Sequence, residues 1–346
     1  MDAFFIEFRD PLFGVIVFFI LVFTISFFSY WWGRFKTKED HRYLDRFIKE
    51  FHHLPPEQEL KELMESSMSE KSWMLLAHAY TQNGDYEKSI EIYQTVAEKQ
   101  SDPQRRHETL FLLGKTYFRA GFLERAKVLF LEILKHAPRT TQALRYLLLV
   151  YEQLHQYDNA LEVLDPLDEL NSDTRLDRLY LECISIINDT ALQTSDKAAQ
   201  LLRIYKDHHL LIYLIFEYLF THDSTLAWEH LDHSEAKRIS DILWRLPEEK
   251  CDLAIIAQNG YLRELFNARG VGNLADQSST FELDILIKLG QHEQSGATLS
   301  YEYLCRSCKH ILPFPFHRCP NCYAIDSIMS QPILTKDYFE ENLSFQ

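Results

Sequence analysis

Four of the six cysteines in the 346-residue chain fall in one short stretch, as two C-x-x-C pairs. The pairs are Cys305 with Cys308 and Cys319 with Cys322, and ten residues separate them. A C-x-x-C turn brings two thiolates to one ion, and backbone N–H groups of the turn offset their charge. Two such turns complete a tetrahedral four-sulfur site, which leaves no open position and is therefore structural. Zinc is the ion expected in a reducing compartment; iron fits the same geometry and is the alternative. A disulfide framework is not expected, because dense staples belong to small secreted domains. A redox dithiol needs only one such pair, at the start of a helix. Cys183 and Cys251 stand apart and read as core thiols.

No other constellation supports catalysis. G-x-S-x-G, P-loop, G-x-G-x-x-G and H-E-x-x-H motifs are missing from the sequence. His230 and His233 have i,i+3 spacing but no second ligand set, and read as solvated. The net charge of −15, from 36 basic and 51 acidic residues, disfavours a nucleic-acid partner. The expectation is a protein that is not an enzyme.

The cysteines need elements to hold them. The connector "KHILPFPFHR" is rich in proline and aromatics and suits a short β-ribbon. A ribbon over residues 299–335, followed by a tail at 336–346, has too few residues for its own core. It is expected to fold through its metal and dock on the helices before it. Residues 71–99, 107–138 and 142–167 are self-similar at a spacing of about 34 residues, the tetratricopeptide pattern. In each, a large apolar residue, a leucine, a small or apolar residue and a tyrosine recur. They are Trp73, Leu76, Ala77, Tyr80; Leu110, Leu113, Gly114, Tyr117; and Leu144, Leu147, Leu148, Tyr151. The turns "NGDYEKS", "AGFLERA" and "LHQYDNA" follow, each ending in a small residue: Ser89, Ala126 or Ala160. Beyond residue 170 the repeat fades, but amphipathic helical segments continue. The expected solenoid spans 69–298. Its concave face would take a protein partner through Met74, His78, Phe111, Lys115, Phe118, Arg145 and Leu149.

Residues 11–33, "PLFGVIVFFILVFTISFFSYWWG", carry no charge and are long enough to cross a bilayer. Tyr30, Trp31 and Trp32 stand where an interfacial aromatic belt would lie. Arg34, Lys36, Lys38 and Arg42 follow the span, so its C-terminal side is expected to face the cytoplasm. Residues 1–33 thus read as an N-terminal transmembrane anchor and 34–68 as a juxtamembrane helical segment. The expected fold class is all-α: a tetratricopeptide-repeat helical solenoid with one transmembrane helix and a small C-terminal zinc ribbon.

This order of parts resembles the lipopolysaccharide assembly protein B family, whose tail is a rubredoxin-like metal ribbon. The resemblance rests most closely on Tyr303, Cys305, Cys308, Cys319, Pro320 and Cys322, then Pro332–Ile333, and on the repeat around Leu113–Ala126. The chain departs from the family at Lys309, where a glycine is usual, and at His317 and Ile325, where tryptophans are usual. The resemblance implies a single-pass protein of the bacterial inner membrane with its bulk in the cytoplasm. It implies a regulatory adaptor for lipopolysaccharide (lipid A) synthesis. The implied partners are the FtsH membrane protease, the lipid A deacetylase that it degrades, and lipopolysaccharide assembly proteins; self-association into a homo-oligomer is left open. The alternatives are a tetratricopeptide scaffold for another envelope complex and a rubredoxin-like membrane electron carrier carrying iron.

Overall fold

The computed structural model describes residues 23, 24, 27, 69–272, 277–291 and 296–336. The expected anchor lies outside the described residues except for Phe23, Thr24 and Phe27, which are helical. The juxtamembrane segment and the tail beyond Lys336 also lie outside them. Among the described residues no helix is long and apolar enough to cross a membrane. The chain divides into two compact units, Met1–Leu129 and Phe130–Gln346.

In the first unit, helices α1 (Glu70–Asn83) and α2 (Tyr86–Lys99) form a hairpin. Helix α3 (Pro103–Arg119) then turns into α4 (Leu123–His136), which crosses the boundary between the units. Ser69 caps α1 by accepting the Ser72 N–H. Asp102 caps α3 by accepting the Gln104 N–H, with Pro103 in the first turn, where no donor is lost. Leu76, Ala77, Tyr80, Leu113, Gly114, Tyr117 and Ala126 are all buried, as the repeat pattern requires. Ser89 shows why its position must be small. It is fully buried, and its hydroxyl donates to the Ala77 carbonyl at 2.8 Å, so α1 and α2 approach closely. Burial of each large apolar side chain contributes about 1.5–3 kcal/mol.

The second unit continues with α5 (Thr141–Gln153), α6 (Tyr157–Glu169), α7 (Arg175–Asn188), α8 (Thr194–His208) and α9 (Ile212–His222). The third repeat, read over 142–167, runs slightly further, for α6 contains Pro166 and continues to Glu169. The chain breaks where His209 and Leu211 take left-handed φ values of 52° and 58°, separating α8 from α9. Three short pieces follow: α10 (Ser224–His230), a 3₁₀ turn His233–Ile239 and α11 (Ser240–Arg245). Asp223 and Asp232 restart the chain there by accepting the N–H groups of Leu226 and Ser234. Helices α12 (Leu253–Ile256), α13 (Gly260–Ala268) and α14 (Phe281–Gln291) follow.

Three antiparallel strands close the unit in the order β2-β1-β3: β1 (Ala297–Cys305), β2 (Ile311–Leu312) and β3 (Ile328–Lys336). Strands β1 and β3 pair from Ala297↔Lys336 to Cys305↔Ile328. Their inner face is continuous with the helical core. Leu299, Tyr301, Tyr303, Leu312, Phe316 and Ile328 belong to the same apolar cluster as Tyr180, Phe216, Trp228 and Phe266. The ribbon therefore does not merely rest on the last helices; it completes the core of the second unit.

Candidate metal centre

Each cysteine pair lies on a turn of the same construction. The Lys309 N–H donates to the Cys305 carbonyl at 2.9 Å, and the Tyr323 N–H to the Cys319 carbonyl at 2.8 Å. The Cys305 N–H returns to the His310 carbonyl and the Cys319 N–H to the Ala324 carbonyl, both at 2.9 Å. Lys309 and Tyr323 share a φ of 61°. The left-handed residue reverses the chain and turns backbone N–H groups onto sulfur. Those of Ser307 and Cys308 point to Cys305, and those of Asn321 and Cys322 point to Cys319.

The four sulfurs lie within 4.8 Å of one another. Cys305 and Cys322 Sγ are 3.7 Å apart, and Cys308 and Cys319 Sγ 3.8 Å. A tetrahedral ion with metal–sulfur bonds of about 2.3 Å requires sulfur separations of about 3.8 Å. The donor set thus fits one tetrahedral cation with thiolate ligands. The charges point the same way. Burial opposes the Cys305 thiolate, but the Ser327 hydroxyl and the turn N–H groups bring its pKa down to about 6. Burial pushes Cys319 up to about 12. Four sulfurs this close carry four negative charges only when a cation sits among them. Cys183 is buried, and burial pushes its thiol up to about 12, as expected of a core thiol.

Two polar clusters hold the ribbon in the second unit. Asp241, fully buried on α11, accepts hydrogen bonds from the hydroxyls of Tyr213 at 2.6 Å and Tyr303 at 2.9 Å. Burial leaves its carboxyl above the usual carboxylate range. Arg238 adds an ion pair to Asp326 at 2.7 Å. On the other side, Arg318 reaches Glu152 on α5 at 2.8 Å and Asp177 on α7 at 3.1 Å. It also donates to the Tyr323 carbonyl at 3.0 Å and lies over the Tyr180 ring at 5.0 Å. Burial raises the Glu152 pKa against the pull of Arg318. Sequence reasoning did not find this cluster. Its one signal is an arginine abutting a cysteine turn in a stretch, 303–325, that contains no acidic residue.

The two departures at usual tryptophan positions, His317 and Ile325, meet this chain's own residues, whereas Lys309 is exposed. His317 Nε2 lies 3.0 Å from Glu217 on α9, and its ring is 6.0 Å from that of Tyr213. Ile325 is buried and bridges to Arg318.

The expected partner-binding residues divide. His78 and Arg145 are exposed, and Met74, Phe111 and Lys115 are half-buried. Phe118 and Leu149 are buried, which corrects their reading as surface positions. Helices α3 and α5 are covered on more than one face, so the residue beside each core position is also enclosed. In the first unit Met74 lines an open groove of about 500 Å³ with Leu75, Arg105, Thr109 and Leu112. Burial, then the charges of Lys115 and Arg119, lowers the pKa of His78; burial and Arg119 lower that of Lys115. The structure thus places the His78 imidazole beside two cations, Lys115 and Arg119, which disfavour its charged form.

The tetratricopeptide-repeat family matches the chain at residues 70–98 and again at 111–172. Over 143 residues the chain is 25% identical to lipopolysaccharide assembly protein B of Escherichia coli K12, covering 41% of this chain and 37% of that protein. The protein of the same name from E. coli O157:H7 matches to the same extent. The chain thus spans 37% of the length of the curated relatives it matches. Among solved structures, a tetratricopeptide repeat protein from Parabacteroides merdae aligns with 65% of this chain and 87% of its own. Its identity to the chain is 17% and its TM-score 0.34. BtubC (BKLC) from P. vanneervenii aligns with 61% of this chain and 85% of its own, at 16% identity and a TM-score of 0.27.

Proposed function

We propose that the protein is a membrane-tethered adaptor that controls lipopolysaccharide synthesis. The observation that carries this reading is the joining, in one chain, of matched tetratricopeptide repeats with four convergent cysteines. Its distant similarity to lipopolysaccharide assembly protein B supports the same assignment. Repeats of paired helices bind protein segments rather than transform substrates. Residues 11–33 would anchor the chain in the bacterial inner membrane with its bulk in the cytoplasm. The repeats would then bring the lipid A deacetylase to the FtsH protease or organise lipopolysaccharide assembly proteins. The cations Lys115 and Arg119 beside His78 favour a client segment bearing carboxylates. Zinc at Cys305, Cys308, Cys319 and Cys322 would be structural, neutralising the thiolates and holding the two turns together.

Depletion of the protein should lengthen the half-life of the deacetylase in cells. An unchanged half-life, together with capture of a different envelope complex through the repeats, would turn the reading toward a general envelope scaffold.

A further inference from the structure

We propose that the metal centre clamps the third repeat. Arg318 ties α5 to α7 only while the second cysteine turn is held by its ion. This inference goes beyond the adaptor reading and stands whatever the repeats bind.

Arg318 directly precedes Cys319, and its guanidinium is held at both ends. One nitrogen donates to the Tyr323 carbonyl within the turn, and the others reach Glu152 and Asp177. All three charged side chains are enclosed, with exposures of 11% for Arg318, 12% for Glu152 and 16% for Asp177. The Tyr323 ring meets Tyr146 of α5 edge-on at 6.1 Å, so the turn touches α5 twice.

Cys319 and Ile325 flank the turn in the apolar core, so what the ion adds is closure of the turn itself. Two backbone hydrogen bonds close it, and its left-handed residue, Tyr323, is not a glycine. Metal binding supplies the folding free energy of a site of this kind. Once the ion leaves, the turn loses its constraint and Arg318 loses its fixed position. Glu152 and Asp177 then face each other as enclosed carboxylates with no cation between them. A buried charge stripped of its cation is destabilising, and Glu152 keeps only its hydrogen bond from the Tyr180 hydroxyl, so α5 and α7 open to water more readily. The disturbance reaches the hairpin turn, because the Glu152 carbonyl accepts the His155 N–H at 3.0 Å. Helix α5 also carries Arg145 and Leu149. Metal occupancy would thus govern the order of a repeat that lies far from the cysteines in sequence.

The test is hydrogen–deuterium exchange, read by mass spectrometry, on the full chain in detergent, zinc-loaded or treated with chelator. Zinc content is measured in the same samples. In the wild type, chelation should speed exchange in the ribbon and, by about tenfold or more, in α5 and α7. In Arg318→Met, α5 and α7 should exchange fast even with zinc bound, and chelation should change them little. In Arg318→Met/Glu152→Gln/Asp177→Asn neither unpaired carboxylates nor an unpaired guanidinium remains, so α5 and α7 should exchange alike with and without zinc while the ribbon still responds. The proposal is overturned if zinc does not bind, or if wild-type α5 and α7 ignore its removal. It is equally overturned if the triple variant loses protection there as fully as the wild type, which would mean general collapse of the unit.

Discussion

Lys309 and Tyr323 occupy backbone positions that favour glycine, since both hold a φ of 61°. A left-handed conformation costs a residue with a Cβ about 1–2 kcal/mol. Lys309 is also exposed, so its side chain contributes little in return. Lys309→Gly should therefore stabilise the metal-loaded protein by about 0.5–1 kcal/mol, measured as a higher midpoint in chemical denaturation. Cys305→Ser/Cys308→Ser should abolish stoichiometric zinc, which metal analysis of the purified protein checks. Acid should release the ion. Cys319, pushed up to about 12, gives up a proton when metal binds, so affinity rises with pH and falls as protons compete for the sulfur. A titration of bound zinc from pH 8 to pH 5 reads this directly. The cysteines were legible because their spacing is local: two turns of four residues already imply the site. Arg318 was not legible. Its partners lie 166 and 141 residues away in sequence, and no local pattern announces which carboxylate a folded chain will bring to an arginine.

The three repeats share one device for turning the chain. Gly84, Gly121 and His155 take φ values of 84°, 80° and 56°. After each, the next residue donates to the carbonyl of the repeat tyrosine: Asp85 to Tyr80, Phe122 to Tyr117 and Gln156 to Tyr151, all at 2.9 Å. This is the closing pattern of a helix that ends in a left-handed residue, and it satisfies carbonyls that would otherwise lack donors. Nothing lies within 4 Å of a Cβ added at Gly121, so Gly121→Ala isolates the backbone term. It should cost about 1 kcal/mol of stability, seen as a lower thermal midpoint. These hairpins could be read from the sequence because helical period, turn and small residue all agree within about 34 residues. The helices after residue 220 could not be bounded in this way. Their lengths are set by caps such as Asp223 and Asp232 and by what they pack against, and an amphipathic pattern continues across the breaks.

At the scale of the molecule, the sheet is part of a core rather than an appendage. A chain ending at residue 296 would lose Leu299, Tyr301, Tyr303 and Ile328 from the cluster that contains Phe216 and Trp228. It would also leave Asp241 buried without Tyr303. That truncation should give aggregated protein rather than a soluble set of repeats, as size-exclusion chromatography would show. Removing residues 1–33 should do the opposite: it leaves the repeats and the ribbon in place and releases the protein from membranes, which fractionation after alkaline washing would reveal. Persistent membrane attachment would remove the anchor from the proposal.

The pairing of β1 with β3 also bears on how the chain is made. Tyr180 and Ile328 share one apolar cluster, yet 148 residues of synthesis separate them. At about 5–20 residues per second, α7 waits roughly 7–30 s on the ribosome before the strand that covers its neighbours has been translated. During that interval the apolar faces of the second unit have no native lid, and Glu152 and Asp177 have no arginine. The first unit, whose contacts are local, can fold as it emerges. Nascent chains of this protein should accordingly depend on chaperones through the second half of translation, and on a supply of metal at its end.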